Sequence, residues 1–301
     1  MLTGSNTMGR LPLFYVAYLA LGMIWGTNFL YMKWAAQLIT PMQIVFLRVL
    51  FGLLPVLIYA ISQQQIRRSH LKSAHHFLVM SLLATTVYFY CFAKGTALLN
   101  SGIAGALSGL IPIFSAMTAT LFLREEKLSR LKILGILVGF SGVLFIARPW
   151  STGSFGINLY GVLFMMLGSL SVGTSFIYAK KFLTDKQIPP AALTSYQMLF
   201  ALLSLILITD LDGVAQIQSD GKVLAGLVLG LGILGTGTAY ILYYVIVKNL
   251  GAITASSVTY IPPVVALFIG FLIAGESITL ADWFGMAVIL VGVYMLRLGT
   301  K

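Results

Sequence analysis

Charged side chains are scarce in this sequence. Only 9% of its 301 residues are Asp, Glu, Lys or Arg, against roughly a quarter in an ordinary soluble chain, and 59% are hydrophobic, with a mean hydropathy of +0.96. A soluble domain of this length could not bury so much apolar surface. The composition therefore predicts an all-α integral membrane protein, with the lipid bilayer as its surroundings.

Residue types that build metal, disulfide and catalytic sites are also rare. Cys91 is the only cysteine, which excludes an internal disulfide and a cysteine-based metal site. His70, His75 and His76 cluster beside arginines in a loop, and we interpret them as a solvated basic surface facing anionic lipid rather than a metal site. The sequence has no phosphate-binding glycine loop, no metalloprotease signature and no suitable Ser/His/Asp set. We predict no cofactor, no metal and no enzymatic activity.

The few charges are mostly positive, with 19 Lys and Arg against eight Asp and Glu and a net charge of +11. Such a balance in a soluble protein suggests nucleic acid, but no contiguous basic run with interleaved aromatics is present, so we predict no nucleic-acid partner. Apolar windows of about 20 residues, the length of a membrane span, fill nearly the whole chain instead. The candidate spans are Leu11–Met32, Pro41–Ile61, Phe77–Ala93, Gly102–Leu123, Leu131–Ala147, Ile157–Ala179, Pro190–Ile208, Val223–Val247, Ala252–Ile273 and Ala281–Leu296.

The connecting segments carry their positive charges unevenly. With the N-terminus inside, the cytoplasmic segments hold 14 Lys and Arg and the outer segments hold four, while Arg48 lies within a span. Positive residues concentrate on the cytoplasmic side of membrane proteins. The bias predicts that both termini are cytoplasmic.

The second half of the chain repeats the first. Residues 103–143 recur 150 positions later with nine of 41 residues identical, among them Pro112 as Pro262 and Glu126 as Glu276. Each copy holds five spans, and because five is odd the second copy enters the membrane upside down. We predict ten transmembrane helices in two inverted five-helix repeats, residues 1–150 and 151–301. This architecture is typical of transporters with a substrate site near the midplane.

Four short blocks carry a resemblance to a known family. They are Trp25–Phe29 (WGTNF), Phe46–Arg48 (FLR), and the matching blocks Pro112–Glu126 and Pro262–Glu276. With the ten-span count, they make the sequence similar to the EamA family of the drug/metabolite transporter superfamily, across both halves. The resemblance implies a bacterial inner-membrane carrier, often an exporter of amino acids or related metabolites. It also implies a cavity lined by spans one to four and six to nine, with spans five and ten peripheral.

Arg48 is the one charged residue well inside a predicted span. It lies seven residues past Pro41, about 10 Å into the membrane at 1.5 Å per residue. Because a charge at that depth is costly, Arg48 is expected to have a specific role. It either binds carbonyls at a helix end, which is a structural role, or attracts a substrate carboxylate or phosphate. We favour the structural interpretation. The repeat places the neutral Gln197 at the matching position.

Aromatic and small polar residues supply a candidate cavity. Tyr88 and Phe92 lie four residues apart, as do Tyr240 and Tyr244, so each pair shares a helix face. Ordinary helix packing is the alternative for each of them. The candidate substrate-binding residues are Trp25, Asn28, Arg48, Tyr88, Phe92, Gln197, Tyr240, Tyr244 and Tyr260.

Three prolines near the middle of their spans form a second group of candidates. Pro112, Pro262 and Pro263 each remove an intrahelical hydrogen bond and free a carbonyl. A membrane tolerates this where neighbours or a wet cavity satisfy the carbonyls. Packing kinks and a role in gating both remain open.

Two glutamates occupy matching positions at span exits. Glu126 and Glu276 each precede a hydroxyl, Ser129 or Thr279, that is placed to N-cap the next helix. A role in ion coupling is conceivable for both. We interpret them instead as structural elbows.

All eight acidic residues fall in loops or at span ends. Ion-coupled carriers usually place a carboxylate inside the membrane, so we favour a facilitator or exchanger. The leading hypothesis is a secondary carrier of small amphipathic metabolites, above all amino acids, working by alternating access. The second is a carrier of anionic or phosphorylated solutes that uses Arg48, Lys33 and Lys94. A membrane scaffold or enzyme subunit is a minor alternative, and the choice between monomer and homodimer stays open.

Overall fold

The described part of the chain is built from helices. The computed structural model describes residues 11–123, 129–148, 157–251, 255 and 257–299, and contains no strand over these residues. The α-helices are α1 (Leu11–Ala35), α2 (Pro41–Ser62), α3 (Ala74–Ser81), α4 (Val87–Leu98), α5 (Ser101–Leu107), α6 (Ile111–Phe122), α7 (Arg130–Ala147), α8 (Leu159–Phe182), α9 (Pro190–Ile208), α10 (Gly221–Ala225), α11 (Ala239–Leu250), α12 (Ile261–Leu272) and α13 (Leu280–Leu298). The membrane-protein prediction is confirmed.

Nine helical segments in the described ranges are long and apolar enough to cross a membrane. They are Leu13–Ala35, Pro41–Ser62, Arg68–Leu98, Ser101–Phe122, Arg130–Ala147, Leu159–Phe182, Pro190–Ile208, Gly221–Leu250 and Leu280–Leu298. A further apolar helix, Val258–Leu272, is shorter and falls below the about 20 residues of a full span. It stands where the sequence predicts the ninth of ten spans. The chain is a multi-pass membrane protein.

Helix starts coincide with polar residues that bind the first free backbone N–H groups. The Thr40 hydroxyl accepts from the Gln43 N–H at 3.3 Å, and the Gln43 side chain accepts from the Thr40 N–H at 3.0 Å, a capping box before α2. Ser129 caps α7 in the same way at 3.2 Å. Before α13, the Asp282 carboxylate accepts from the Thr279 N–H at 2.7 Å. Ser129 and Thr279 stand at the N-cap positions that the sequence predicts.

Two segments are interrupted just before their prolines. A 3₁₀ turn, Ser108–Leu110, separates α5 from α6, and Pro112 is the second residue of α6. A second 3₁₀ turn, Val258–Tyr260, precedes α12, which has Pro262 near its start. Proline in the first turn of a helix sacrifices no hydrogen bond. The interruption therefore precedes each proline, and both interpretations of the prolines, a packing kink and a role in gating, stay predictions.

Two π-helical segments are a feature that the sequence analysis did not foresee. Leu82–Thr86 joins α3 to α4, and Gly226–Thr238 joins α10 to α11. π-helical turns are rare and frequent at functional sites. Both segments border the cavity described below.

Helices α7 and α13 pack against each other through glycines. A Cβ added to Gly142 would lie 2.6 Å from the carbonyl oxygen of Gly285, and one added to Gly135 would lie 2.7 Å from that of Gly292. The two backbones are thus in direct contact, as small residues allow in membrane helices.

This contact makes Gly142 sensitive to a single methyl group. We expect Gly142→Ala to lower the free energy of unfolding by about 1–3 kcal/mol, as overpacking does in cores. Gly221→Ala is the matched control, because a Cβ at Gly221 meets nothing within 4 Å. Thermal unfolding in detergent measures both variants, and equal melting temperatures would contradict the packing described.

Candidate functional site

A cavity of ≈ 320 Å³ lies among helices from both halves of the chain. Its walls come from α1, α2, α3, α4, α8, α9, α11 and α12, from both π-helical segments and from both 3₁₀ turns, together with Ile111 at the start of α6. The described lining contains no residue of α7 or α13. The volume falls at the lower end of the about 300–1,000 Å³ of small-molecule sites. The cavity is the candidate functional site.

Most of the residues selected from the sequence meet at this cavity. Those that line it are Trp25, Asn28, Arg48, Tyr88, Phe92, Gln197, Tyr240, Tyr244 and Pro262. Tyr260 does not line it, because the 3₁₀ turn presents its neighbour Thr259 instead. Pro112 and Pro263 also lie outside the lining, and Glu126 falls outside the described residues.

Several lining residues were missed by the sequence analysis. They are chiefly Met80, Ala84, Phe89, Ser108, Ser175, Thr194, Gly235, Tyr243 and Thr259. Thr194 could have been found from the sequence, because it lies three residues before Gln197 and so shares its helix face. Ser108 opens the 3₁₀ turn before Pro112. No comparable signal in the sequence pointed to Gly235.

Arg48 is buried in the cavity wall with only 5% of its surface exposed. Its Nε donates to the Thr236 hydroxyl at 2.9 Å, its Nη1 lies 3.9 Å from the Met32 sulfur, and its guanidinium stands 3.7 Å from the centre of the Phe89 ring. The carbonyl partners expected from the structural interpretation are absent from the described residues. The side chain is held in place and keeps unused N–H groups.

Thr236 fixes the position of Arg48 through its π-helical segment. The Thr236 hydroxyl donates to the Leu231 carbonyl, five residues earlier, at 2.9 Å, which leaves its oxygen to accept from Arg48. Gln197, the counterpart of Arg48, donates through Nε2 to the Thr85 hydroxyl at 2.8 Å. Thr85 belongs to the other π-helical segment. Each π-helical segment therefore receives one polar side chain from a helix in the opposite half.

Asn28, in the WGTNF block, is another buried polar residue in the cavity wall. Its Nδ2 donates to the Gly235 carbonyl at 3.1 Å, and its Oδ1 is buried with no partner in the described structure. A Cβ on Gly235 would collide with that oxygen. Gly235 is therefore required for α1 to approach the π-helical segment.

Aromatic rings form the apolar part of the wall. Tyr88 and Phe92 meet edge to face at 4.6 Å between ring centres, and Tyr240 and Tyr244 stack at 6.3 Å. These contacts confirm that each pair shares a helix face. Tyr244 also hydrogen-bonds Thr194. The hydroxyls of Tyr88 and Tyr240 have no hydrogen-bond partner among the described residues, so both remain available to a solute.

The cavity reaches the surface at one end of the helix bundle. Pro190, the first residue of α9, and Phe176, 49% exposed, both line it and are open to the surroundings. Arg48, seven residues into α2, lies towards the opposite end. The two helices are antiparallel, because Gln43 near the start of α2 binds carbonyls just past the end of α9.

Three side chains outside the cavity lining bind backbone groups near helix ends. Gln43 donates to the carbonyls of Asp210 and Asp212 at 2.9 and 2.8 Å. Lys33 donates to two carbonyls at the end of α4, at 3.2 and 2.7 Å. Glu276 accepts from the first two N–H groups of α5, at 2.6 and 2.9 Å. These contacts occupy Lys33, which does not line the cavity, and neither does Lys94.

The described carboxylates lie outside the cavity lining. Asp282, 1% exposed, pairs with Arg148 at 2.5 Å, and Glu276 binds the start of α5. None of the described carboxylates forms an ion pair with Arg48. The described lining therefore carries one positive charge and no negative charge.

The histidine cluster differs in part from the predicted solvated loop. His75 is exposed, but His76 is 9% exposed, with its Nδ1 2.8 Å from the Tyr178 hydroxyl and its ring stacked on Phe182. Apolar packing of α3 against α8 places it there. The described residues contain no group of three or more possible metal ligands.

Curated relatives of the chain match almost its full length. It is 27% identical over 271 residues to an uncharacterized transporter of Archaeoglobus fulgidus, covering 90% of this chain and 94% of the relative. It is 26% identical to the uncharacterized transporter YoaV of Bacillus subtilis, covering 91% and 92%. The uncharacterized inner membrane transporter YedA of Escherichia coli K12 is 24% identical, covering 96% and 92%.

A solved crystal structure and a family model extend these similarities. The crystal structure is 18% identical in sequence and superposes with a TM-score of 0.61, over 96% of this chain and 97% of that one. At that identity the likeness shows the fold alone. The model of the EamA-like transporter family matches residues 13–148 and again residues 159–298. Since these matches span nearly the whole sequence, the chain belongs to the EamA-like transporter family.

Proposed function

We propose that the protein is a secondary carrier of small amphipathic metabolites that works by alternating access, with the cavity as its solute site. One observation carries the proposal. The cavity is lined by helices from both halves of the chain, has the exposed residues Pro190 and Phe176 in its lining, and holds the buried Arg48. A carrier needs a site reachable from one side in each of its two states. A scaffold or enzyme subunit has no such need.

The proposed architecture has ten spans in two inverted repeats, residues 1–150 and 151–301, with Val258–Leu272 as a short ninth span. Helix packing supports it: α1 packs on α12 as α8 packs on α6, and α2 packs on the Gly226–Thr238 segment as α9 packs on α3. The crossed contacts of Arg48 and Gln197 follow the same pattern. Two related halves facing each other in opposite orientations would give this exchange of partners.

The proposed location is the bacterial inner membrane with both termini in the cytoplasm. The excess of Lys and Arg in alternate connecting segments supports this orientation. The mouth of the cavity would then face the cytoplasm. Glu276 would serve as a structural elbow by binding the start of α5, and Glu126 as its counterpart in the first half.

The proposed solutes carry a negatively charged group for Arg48. Amino acids, the class implied by the family resemblance, meet this need with their carboxylate. Phosphorylated solutes fit the cavity less well, because they would need further cations. Lys33 already binds carbonyls, and Lys94 does not line the cavity. The single cation of the described lining suits a singly charged solute.

The proposed mechanism is facilitation or exchange without proton coupling through a carboxylate. The carboxylates of the described residues lie outside the cavity lining, whereas coupled carriers place them inside. Counterflow into liposomes loaded with an amino-acid and organic-acid mixture, with and without a pH gradient, tests this. Counterflow that ignores the gradient is expected. Accumulation driven by the gradient would contradict facilitation, and no counterflow of any solute by folded protein would contradict the carrier itself.

Tyr240 provides a matched test of the cavity as the solute site. We expect Tyr240→Ala to lower the initial rate of counterflow at least tenfold, because it removes a ring and an available hydroxyl from the wall. Tyr240→Phe separates the two contributions. His75→Ala, at an exposed histidine away from the cavity, should leave the rate unchanged. Equal rates for Tyr240→Ala and the wild type at equal expression would contradict the assignment.

A further inference from the structure

We propose that the site selects amphipathic monocarboxylates without an α-ammonium group over the corresponding amino acids. The inference rests on the proposed function and narrows its substrate class. The carboxylate would lie against Arg48 at the deep end of the cavity, and the apolar body would lie along the aromatic wall.

Arg48 is arranged to receive a planar anion. A guanidinium has five N–H groups in a fixed fork. In Arg48 the Nε group donates to the Thr236 hydroxyl, and Nη1 faces the Met32 sulfur. The ring of Phe89 covers one face at 3.7 Å. The Nη2 group has no hydrogen-bond partner among the described residues. Orientation and free donors together suit a carboxylate, which Arg binds through paired N–H groups.

Two tyrosine hydroxyls add donors beside this cation. Tyr88 and Tyr240 both line the cavity within electrostatic reach of Arg48. Each phenol carries one O–H donor, and neither hydroxyl is bound to another described residue. The three side chains therefore form a group of hydrogen-bond donors around one positive charge. That chemistry recognises an anion.

The same group offers no negative charge to a nearby ammonium. In an α-amino acid the ammonium is attached to the carbon next to the carboxylate, so it would lie close to the guanidinium, a like charge. The described lining contains no carboxylate to compensate it, and the acceptors it offers, such as the unpartnered Asn28 Oδ1, are neutral. A buried charge without a partner is strongly unfavourable. A solute lacking the ammonium avoids this cost.

The remaining walls suit an apolar body of modest size. Phe92, Met80 and Ala84 contribute apolar side chains to the lining. Farther from Arg48, Gln197 donates to Thr85 through Nε2, which leaves its Oε1 free to accept from a neutral O–H or N–H group. The cavity therefore fits an aryl or branched alkyl carboxylate, with room for one neutral polar substituent.

Matched ligand pairs test the inference on the full-length protein in nanodiscs. Binding of 3-phenylpropanoate is compared with that of phenylalanine, and 4-methylpentanoate with leucine, by isothermal titration calorimetry. Each pair differs only in the α-ammonium group. We expect each acid to bind at least tenfold more tightly than its amino acid. Equal or tighter binding of the amino acids would overturn the inference.

Variants connect the preference to Arg48. Arg48→Gln should weaken binding of both acids at least tenfold and remove the difference within each pair, whereas Arg48→Lys should retain part of it. Lys94→Gln removes a cation that does not line the cavity and should change neither. Wild-type affinity for the acids in a folded Arg48→Gln variant would also overturn the inference.

Counterflow distinguishes failure of the inference from failure of the proposed function. If amino acids exchange across the membrane and the acids neither bind nor move, the carrier function stands and the inference is wrong. If none of the four compounds binds, the inference is overturned. Counterflow with the full solute mixture then decides separately whether the protein is a carrier.

Discussion

Replacement of Ala84 by tryptophan is expected to abolish counterflow while leaving the protein folded. Ala84 lies in the Leu82–Thr86 π-helical segment, is 6% exposed and lines the cavity. An indole at this position would occupy a large part of the ≈ 320 Å³ available. A solute that needs the same space could no longer bind, so the rate should fall at least 100-fold.

Leu82→Trp is the matched control for this variant. Leu82 lies in the same segment but is 42% exposed and does not line the cavity. An indole there would face the surroundings of the bundle, and counterflow should stay within twofold of wild type. Unchanged counterflow in a folded Ala84→Trp protein would show that solutes do not cross by this cavity.

Substitution of Asp282 by alanine is expected to cause the largest loss of stability. Asp282 is 1% exposed, pairs with Arg148 at 2.5 Å and accepts from the Thr279 N–H at 2.7 Å. Removing one partner of a buried ion pair costs about 3–5 kcal/mol, because the other charge is left uncompensated. Arg148 is 14% exposed, so solvent reduces this penalty, and we expect about 3 kcal/mol.

Two comparisons identify the source of that loss. Asp220→Ala removes an exposed helix cap at the start of α10 and should cost only about 1 kcal/mol. The double variant Asp282→Ala/Arg148→Met should recover part of the stability lost in Asp282→Ala, because it removes the uncompensated guanidinium. Thermal unfolding in detergent measures all of them. A double variant no more stable than Asp282→Ala would contradict an electrostatic cause.

The membrane segments are the part of the fold that the sequence predicts best. The predicted spans Pro41–Ile61 and Pro190–Ile208 compare with helices Pro41–Ser62 and Pro190–Ile208. Both helices begin at the predicted residue, because proline favours the first turn of a helix and interrupts its interior. Long apolar runs of about 20 residues then fix the length.

The π-helical segments could not be predicted from hydropathy. The Gly226–Thr238 segment is apolar throughout except for two threonines, so an α-helix and a π-helix give the same composition. The two helices differ in backbone hydrogen-bond spacing, which is five residues in a π-helix. Here the segment also receives side-chain contacts from Arg48 and Asn28. Those partners lie about 190 to 210 residues away in sequence and depend on tertiary packing, which often overrides local preference.

Local geometry and competing hydrogen bonds explain why two candidate residues lie outside the cavity lining. Tyr260 is one of the candidate substrate-binding residues, but a 3₁₀ turn has three residues per turn rather than 3.6 and presents Thr259 to the cavity. The alternative hypothesis of an anionic solute uses Lys33, and in the structure Lys33 binds carbonyls at the end of α4. A cation near a helix C-terminus commonly does so. The fold sets the position of that helix end, and this position decides whether Lys33 binds a solute anion or the helix carbonyls.

Labelling of a single cavity cysteine from each side of the membrane tests alternating access most directly. In a Cys91→Ser background, Ser108→Cys places a near-isosteric thiol in the cavity lining, and Ser169→Cys places one at a buried site outside it. Each variant is exposed to an impermeant methanethiosulfonate in right-side-out and in inverted vesicles. An alternating carrier predicts reaction of Ser108→Cys from both sides and of Ser169→Cys from neither. Reaction of Ser108→Cys from one side only, however long the exposure, would contradict alternating access through this cavity.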